Sequence, residues 1–254
     1  MKIEGRGRIL FWEGASLWTF AVLPAPGAAP STTDFHAHHA IQVTLSLGGR
    51  MNLRTAAHDV AGDAIVAADE AHIFEAEGKV ALLFVEPESA AGRAIAKSHL
   101  RNASLSALPG PLIADLVAQL REASDAVNET ALETLGRAIV RRLAGGEGAA
   151  LLDPRVRTVI DHAAAHLDRP VSLATAAKSV GLSPSRFRHL FVEQTGLAFR
   201  TYLLWLRIMK AVGLYSNGGS LTEAAHEAGF ADSAHFSRTF RRMFGLPAAS
   251  LRIV

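Results

Sequence analysis

Histidines cluster in the segment FHAHHAIQ, residues 35–42. His36 and His38 are two residues apart, and successive side chains of a β-strand alternate between its faces, so we expect both on one side. Gln42, four residues after His38, points to the same side of such a strand. His72 follows in the segment GDAIVAADEAH. Two or three imidazoles and an amide oxygen suit a first-row divalent metal ion.

These four side chains allow two interpretations. In the first, the ligands of a divalent metal ion are His36, His38, Gln42 and His72, although the uncharged amide weakens the site. Metal binds only neutral imidazole, so the affinity should fall below about pH 6.5. In the second, the same groups line a pocket for a small organic molecule, together with these aromatic residues: Trp12, Trp18, Phe20, Phe35 and Phe74.

The opposite side of this strand carries Phe35, His39, Ile41 and Val43. If the histidines and Gln42 point inward, these residues point outward and need a further layer to cover them. We expect that layer to be the helices that follow in the chain, or a second subunit.

Arginines alternate with aromatic residues in the segment GFADSAHFSRTFRRMFG, residues 229–245. A core helix does not carry so many charges, and a solvated helix does not carry so many aromatic side chains. Phe236 and Phe240 are four residues apart and so share one helical face, which favours a core contact. The other face then presents polar and cationic groups, and arginine pairs well with guanine or with phosphate oxygens.

The same segment belongs to an internal duplication. Residues 172–196 and 220–245 repeat each other, with an offset of 48 that becomes 49 after one extra residue in the second turn. Each copy predicts a capped helix, a turn at Gly181 or Gly229 and a second helix. This is the pattern of a helix-turn-helix, whose second helix enters the DNA major groove. The long helix predicted between the copies would set the two recognition helices about one DNA turn, roughly 34 Å, apart.

The second helix of each copy carries the candidate DNA-binding residues. They are Ser185, Arg186, Arg188 and His189 in the first copy, and Ser233, Ala234, His235, Arg238 and Arg242 in the second. A solvated basic surface is the alternative for any single arginine. The duplication makes double-stranded DNA the predicted partner of the face as a whole.

Net charge divides the chain as the duplication does. Residues 153–254 contain 13 Lys and Arg against 7 Asp and Glu, whereas the other residues contain 13 against 17. The absence of cysteine excludes disulfides, thiolate metal sites and cysteine nucleophiles, and suits a reducing compartment. Glu13 and Gly14 interrupt the apolar residues 9–23, so we expect no signal peptide, no membrane contact and a cytoplasmic location.

Hydrophobic patterning predicts the domain organisation. Short apolar runs between residues 8 and 86 predict strands of a small sandwich or barrel, and the periodicity of residues 111–144 predicts two helices. The predicted segments are a barrel in 1–108, a helical pair in 109–144, a linker in 145–152 and a helical domain in 153–254.

The second helix of the predicted pair has one apolar face, formed by Leu132, Leu135, Ile139 and Leu143. This face either packs on the strands or forms the seam of a homodimer. The sequence leaves both open.

Residues 153–254 resemble the DNA-binding domain of the AraC/XylS transcriptional regulators, two helix-turn-helix units joined by a long helix. The resemblance rests on AAKSVGLSPSRFRHLFVEQTG, on Tyr202 with Leu206 and Arg207, and on AAHEAGFADSAHFSRTFRRMFG with Arg252. It implies that Ser185, Arg188 and His189 read bases in the first unit. Ala234, His235 and Arg238 hold the equivalent places in the second. The chain departs from the family's usual residues at three packing positions: Phe199, Ala248 and Leu251.

The histidine segment resembles the first cupin motif, with Gln42 at the usual glutamate and Gly49 at its end, and residues 62–74 resemble the second. The implied fold class is therefore a two-domain α+β protein, with an N-terminal cupin-like β-barrel, two following helices and a C-terminal all-α double helix-turn-helix.

Together the resemblances imply a one-component transcriptional regulator that is not an enzyme. It would bind a small-molecule effector in the barrel and operator DNA through both helix-turn-helix units. A homodimer is implied, as is contact with RNA polymerase if the protein is an activator. The alternative is a metal-dependent cupin enzyme fused to a DNA-binding module. A repair protein that transfers alkyl groups needs a cysteine acceptor, which this chain lacks.

Overall fold

The computed structural model describes residues 5–22, 30–101, 103–145 and 151–253. The chain forms two compact units: unit 1 is Met1–Ala149 together with Ser237–Val254, and unit 2 is Ala150–Phe236. This division differs from the expected boundary at residue 153, because Ser237–Val254 packs with the N-terminal part of the chain. Residues 146–150, within the predicted linker, lie outside the described residues.

Unit 1 is built on a β-sheet. Its strands are β1 (Gly5–Trp12), β2 (Ala15–Val22), β3 (Ser31–Thr32), β4 (Ile41–Ser46), β5 (Arg50–Thr55), β6 (Asp59–Ala61), β7 (Ala64–Val66), β8 (His72–Val85), β9 (Leu105–Ala107) and β10 (Leu251–Ile253). Hydrogen bonds link them in the order β10-β1-β2-β8-β4-β7-β9, while β3 and β5 also pair with β8, and β6 pairs with β5. This path has two ends, so within the described residues the sheet is open. The α+β class is confirmed, but the structure does not contain the closed barrel that the cupin resemblance implied.

Strand β8 organises the sheet because it changes partners halfway along. Its first half pairs with β3 and β5, and its second half pairs with β2 and β4. Gly78 marks the change with a φ of 89°, and a Cβ there would lie 2.7 Å from the Cα of Gly49. The first residue of β8 is His72, so this strand places one of the predicted site residues.

The apolar N-terminal segment forms a β-hairpin. Strands β1 and β2 pair along their whole length and turn at Gly14, which has a φ of 79°. Among the described residues, no helix combines the length and apolar character needed to cross a membrane.

Three helices belong to unit 1: α1 (Ala90–His99), α2 (Gly110–Asp125) and α3 (Glu129–Ala144). Their apolar faces share one core with the sheet, which confirms that helices cover Ile41 and Val43. At Gly136 helix α3 approaches the sheet so closely that a Cβ would lie 2.8 Å from the ring of Trp12.

The apolar face of α3 packs on the strands, which is one of the two alternatives that the sequence left open. Leu132, Ile139 and Leu143 are buried in the unit 1 core, and the partly buried Leu135 packs against the same cluster. Their burial against the sheet leaves this face no surface for a second subunit.

Unit 2 is helical, as predicted. It contains α4 (Pro154–Ala165), α5 (Leu173–Ser179), α6 (Pro184–Thr195), α7 (Phe199–Ser216), α8 (Leu221–Glu227) and the first residues of α9 (Ser233–Phe244). A short 3-10 helix, Ala248–Ser250, leads from α9 into β10.

Side chains cap five of the helices α4 to α9 at their first turns. The Ser220 hydroxyl accepts from the backbone of Glu223, whose carboxylate accepts in return, which completes a capping box. Asp153, Ser172, Ser183 and Asp232 each accept a hydrogen bond from a backbone N–H in the first turn of α4, α5, α6 and α9. Local sequence therefore determines where these helices begin.

Candidate functional site

The first helix-turn-helix consists of α5 and α6. Gly181 lies between them with a φ of 68°, the left-handed conformation that glycine adopts readily. Phe187 and Phe191 are fully buried in the unit 2 core. The candidate DNA contacts are exposed on the other side of α6: Ser185, Arg186, Arg188 and His189.

The second helix-turn-helix consists of α8 and α9. Gly229 has a φ of 82°, and a Cβ there would lie 2.3 Å from the backbone oxygen of Leu167. Phe236 and Phe240 are buried, while Ser233, Ala234, Arg238 and Arg242 are exposed. The remaining candidate, His235, is half-buried, with its ring edge-on to Phe230 at 5.3 Å.

The predicted histidines meet in unit 1. His36, His38 and His72 are all buried, and one nitrogen from each ring lies within 4.8 Å of the others. Contrary to expectation, His36 and His38 precede strand β4 instead of lying on it. An isolated β-bridge between His36 and His72 joins the two segments.

Two of these rings are oriented by backbone carbonyl groups. His36 Nδ1 lies 2.9 Å from the carbonyl oxygen of Asp34, and His72 Nδ1 lies 2.8 Å from that of Glu70. A carbonyl oxygen only accepts, so each ring donates from Nδ1 and keeps Nε2 as its basic nitrogen. Nε2 of His72 is buried and has no hydrogen-bond partner among the described residues.

Gln42 contacts the third ring through a hydrogen bond. His38 Nε2 lies 3.0 Å from the amide oxygen of Gln42, and the amide nitrogen of Gln42 donates to the Thr44 hydroxyl at 3.1 Å. The amide oxygen of Gln42 thus accepts from His38, and the expected set of four ligands with Gln42 as a member stays a prediction.

All three rings are neutral at physiological pH. Burial, assisted by the charge of His72, lowers the pKa of His36 to about 3. Burial, then the neighbouring His72 and His36, holds the pKa of His38 well below 6.5, and burial also lowers the pKa of His72. Protons therefore compete for these nitrogens only at a pH below the 6.5 expected of free imidazole.

An apolar pocket adjoins the histidines within unit 1. Of the five aromatic residues predicted to line it, Trp18, Phe20 and Phe74 do so. Phe35 is instead 54% exposed, and Trp12 packs against the core under α2 and α3.

Several lining residues were missed by the sequence reasoning, because they lie far along the chain: Phe84, Phe244, Leu246 and Leu251. Phe244, at the end of α9, stacks on Trp18 with ring centroids 5.1 Å apart and on His38 at 5.7 Å. With these side chains in place, the space open to a water-sized molecule is about 40 Å³.

His39, next in the chain, lies between two carboxylates. Its Nδ1 is 2.9 Å from Asp69 and its Nε2 is 3.3 Å from the buried Glu88. Burial alone would lower the pKa of His39, but the hydrogen bonds and charges of Asp69 and Glu88 raise it to about 9. His39 is therefore a buried cation, and its chemistry differs from that of the three neutral rings.

Comparisons with known proteins agree with the helical geometry. Residues 176–252 match a family described as a helix-turn-helix domain. The chain is 32% identical over 147 residues to the HTH-type transcriptional activator RhaS of Citrobacter koseri, which covers 55% of this chain and 53% of that protein. It is 31% identical over 100 residues to the HTH-type transcriptional regulator GlxA of Rhizobium meliloti, covering 39% of this chain and 31% of that protein. The chain spans about half the length, or less, of these curated relatives.

A solved structure extends the likeness of fold to most of the chain. ToxT of Vibrio cholerae superposes with a TM-score of 0.57 over 92% of this chain and 95% of its own, at 12% sequence identity. The curated relatives are named as transcriptional regulators, and the helical region of this chain carries two helix-turn-helix units with exposed cationic faces. Residues 176–252 therefore carry a helix-turn-helix domain, and the chain is similar to transcriptional regulators of the kind that the AraC/XylS resemblance implied.

Proposed function

We propose that this protein is a one-component regulator, which binds an effector in the pocket of unit 1 and operator DNA through both helix-turn-helix units. The observation that carries the proposal is an apolar pocket beside a cluster of three buried histidines, in the same chain as a helix-turn-helix domain. The protein would act in the cytoplasm as a homodimer, through a surface other than the apolar face of α3. It would contact RNA polymerase if it activates transcription.

The exposed faces of α6 and α9 are the proposed DNA contacts. Arg188 on α6, and Arg238 and Arg242 on α9, are exposed. Neither Arg238 nor Arg242 forms an ion pair with another described residue, so both guanidinium groups are available to guanine or phosphate. The polar neighbours of these arginines, Ser185 and Ser233, are exposed beside them.

The DNA-binding proposal is tested with the full chain and two duplexes. One duplex is selected by the protein from a randomised pool, and the other has mixed sequence. Arg238→Ala should weaken binding to the selected duplex by about 1–3 kcal/mol and the mixed duplex by less, because a base contact carries specificity. Arg50→Ala removes an equal charge from β5 and is the matched control. Equal losses on both duplexes would make Arg238 a phosphate contact, and a protein that enriches no sequence would refute the proposed function.

The effector site we assign to the pocket is a site for a divalent transition-metal ion, held by His36, His38 and His72. Imidazole nitrogen suits zinc, nickel, copper and ferrous iron, and sites with three histidines are known for zinc. Histidines that bind metal usually donate their other N–H to a carbonyl or carboxylate, as His36 and His72 do here. The buried Nε2 of His72 then gains the partner that it otherwise lacks.

The free volume favours an ion over an organic effector. ToxT has been solved with an unsaturated fatty acid bound, and the aromatic wall of this pocket is also apolar. About 40 Å³ of free space holds an ion with a water molecule, whereas a drug-sized ligand needs roughly 300 Å³ or more. An organic ligand therefore requires side chains such as Phe244 to move first.

Metal binding is tested by elemental analysis of the purified protein and by calorimetric titration with Zn²⁺ and Ni²⁺. We expect one ion per chain, and loss of binding in His38→Ala and His72→Ala. The exposed His58 gives the control variant His58→Ala, which should bind as the wild type does. Gln42→Leu should weaken binding about 10–100-fold through the orientation of His38. If His38→Ala and His72→Ala bind metal as the wild type does, these histidines are the polar lining of an organic-ligand pocket.

A further inference from the structure

Arg241 lies on the same stripe of α9 as the proposed DNA contacts. At about 100° per residue, Ala234, Arg238 and Arg241 fall within an arc of about 60° on the helix. All three are exposed. The duplication offset of 49 makes Val192 of α6 the counterpart of Arg241. Val192 is 41% exposed and lies one turn after Arg188, on the side of α6 that is proposed to face DNA.

Unlike its neighbours on α9, Arg241 is held by an acidic residue of unit 1. Both Nε and Nη2 of Arg241 donate to Oδ2 of Asp34, at 3.0 and 2.7 Å. The carboxylate thus accepts two N–H groups in the fork geometry that a phosphate oxygen of DNA would also accept.

Arg241 can exchange the Asp34 carboxylate for a DNA phosphate because the ion pair is exposed. The side chains of Arg241 and Asp34 remain 49% and 51% accessible to solvent. Exposed ion pairs contribute little to stability and are screened by salt, so a DNA phosphate can replace this carboxylate at small cost. Other contacts keep the two groups close, since the Asp34 backbone N–H donates to the carbonyl oxygen of Gly245 at 2.7 Å.

We propose that Arg241 is a further DNA contact and that Asp34 competes with DNA for it. In the free protein Asp34 holds the guanidinium, and in the complex the guanidinium moves to a phosphate. This inference rests on the proposed DNA-binding function. It adds a residue to the interface and gives unit 1 a direct influence on affinity for DNA.

The competition is also linked to the histidine site. The backbone oxygen of Asp34 accepts the hydrogen bond from His36 Nδ1, and the backbone of Gly245 approaches both residues. A Cβ at Gly245 would lie 2.4 Å from the Asp34 oxygen and 2.6 Å from His36 Nδ1. A ligand that repositions His36 therefore also acts on the residue that holds Arg241.

The test is a double-mutant cycle on full-length protein with Asp34→Asn, Arg241→Gln and the double variant. Affinity is measured across a salt series for the selected and mixed duplexes, after thermal melting confirms that each variant is folded. Arg241→Gln should lower the salt slope by about one on both duplexes. Asp34→Asn should tighten binding about two- to fivefold when Arg241 is present, and leave it unchanged in the Arg241→Gln background.

Two controls separate this exchange from a general charge effect. Glu77→Gln removes one acid from an exposed ion pair with Arg50 and should leave affinity unchanged. Arg241→Lys keeps the charge and should retain the salt slope. An equal gain from Asp34→Asn in both backgrounds, or an unchanged salt slope in Arg241→Gln, would overturn the inference while leaving DNA binding intact. A wild-type protein that binds neither duplex would overturn the proposed function as well.

Discussion

The aromatic ring at the end of α9 fills the pocket of unit 1, so its removal has a calculable cost. Phe244 is 5% exposed and packs against Trp18, Phe84 and His38, with ring centroids 5.1, 5.8 and 5.7 Å away. Replacing a buried phenylalanine with alanine typically costs about 3–5 kcal/mol, which combines lost burial with the cavity left behind. We expect Phe244→Ala to lie in this range.

This loss is large beside the total stability of a domain, about 5–15 kcal/mol. For a unit of this size, a loss of about 1 kcal/mol in the free energy of unfolding lowers the thermal unfolding midpoint by roughly 2–4 °C. The expected decrease for Phe244→Ala is therefore about 6–20 °C. The transition is followed by the fluorescence of Trp18, which stacks directly on the ring that is removed. Val192→Ala removes an exposed apolar side chain from α6 and should change stability by less than about 0.5 kcal/mol.

The cavity provides a second readout. An apolar cavity lined by aromatic side chains stays dry and binds small apolar molecules. Indole should therefore raise the midpoint of Phe244→Ala and leave that of the wild type unchanged. A loss below about 1 kcal/mol, without stabilisation by indole, would show that the end of α9 does not pack in the pocket.

Two further predictions concern His39 and Gly229. The pKa of His39 is raised from 6.5 in the unfolded chain to about 9 in the folded protein. Protonated His39 therefore contributes about 3 kcal/mol to the free energy of unfolding below pH 6.5, and this contribution is lost as the pH rises through 9. Urea midpoints should fall between pH 6 and pH 9.5 in the wild type but not in His39→Gln, and equal decreases would refute this assignment. Gly229→Ala should lower the free energy of unfolding by several kcal/mol, because the strain of a left-handed alanine adds to a clash with the Leu167 oxygen. A Cβ at Gly181 would meet no atom of the described residues within 4 Å, so Gly181→Ala should cost only the strain, about 1–3 kcal/mol. Equal losses in urea denaturation would contradict the clash.

The helix-turn-helix units were predictable because their signals are local. Caps at Ser172, Ser183 and Ser220 and left-handed glycines at the turns act within a few residues of their own position. The duplication then repeated the same pattern twice, with phenylalanines on the buried face of each second helix and arginines on its exposed face. Such features depend little on the rest of the chain, so sequence reasoning identified them correctly.

The histidine site was predictable only in part. Spacing brought His36, His38 and His72 to one place, but the strand expected to carry the first two begins only at Ile41. The role of Gln42 depended on the direction of a hydrogen bond from a neighbouring ring. An amide both donates and accepts, and nothing in the sequence indicates which of the two it does.

Packing between distant segments was not predictable. Phe244 contacts Trp18, and Arg241 pairs with Asp34, across more than two hundred residues of chain. The local pattern around Phe244 is that of any core position on a helix. The open sheet has a similar cause, since the resemblance to a barrel gave no information on how β10 would add beside β1.

The parallel pairing of β1 with β10 has a consequence for synthesis on the ribosome. Unit 1 is discontinuous, because all of unit 2 lies between its two parts in the chain. Strand β1 is therefore translated early and its edge stays unpaired until Leu251–Ile253 has emerged. Throughout that interval the pocket also lacks Phe244, so apolar surface remains exposed on the nascent chain. Unit 2 has all of its residues available sooner, so it can complete its core before the sheet that precedes it.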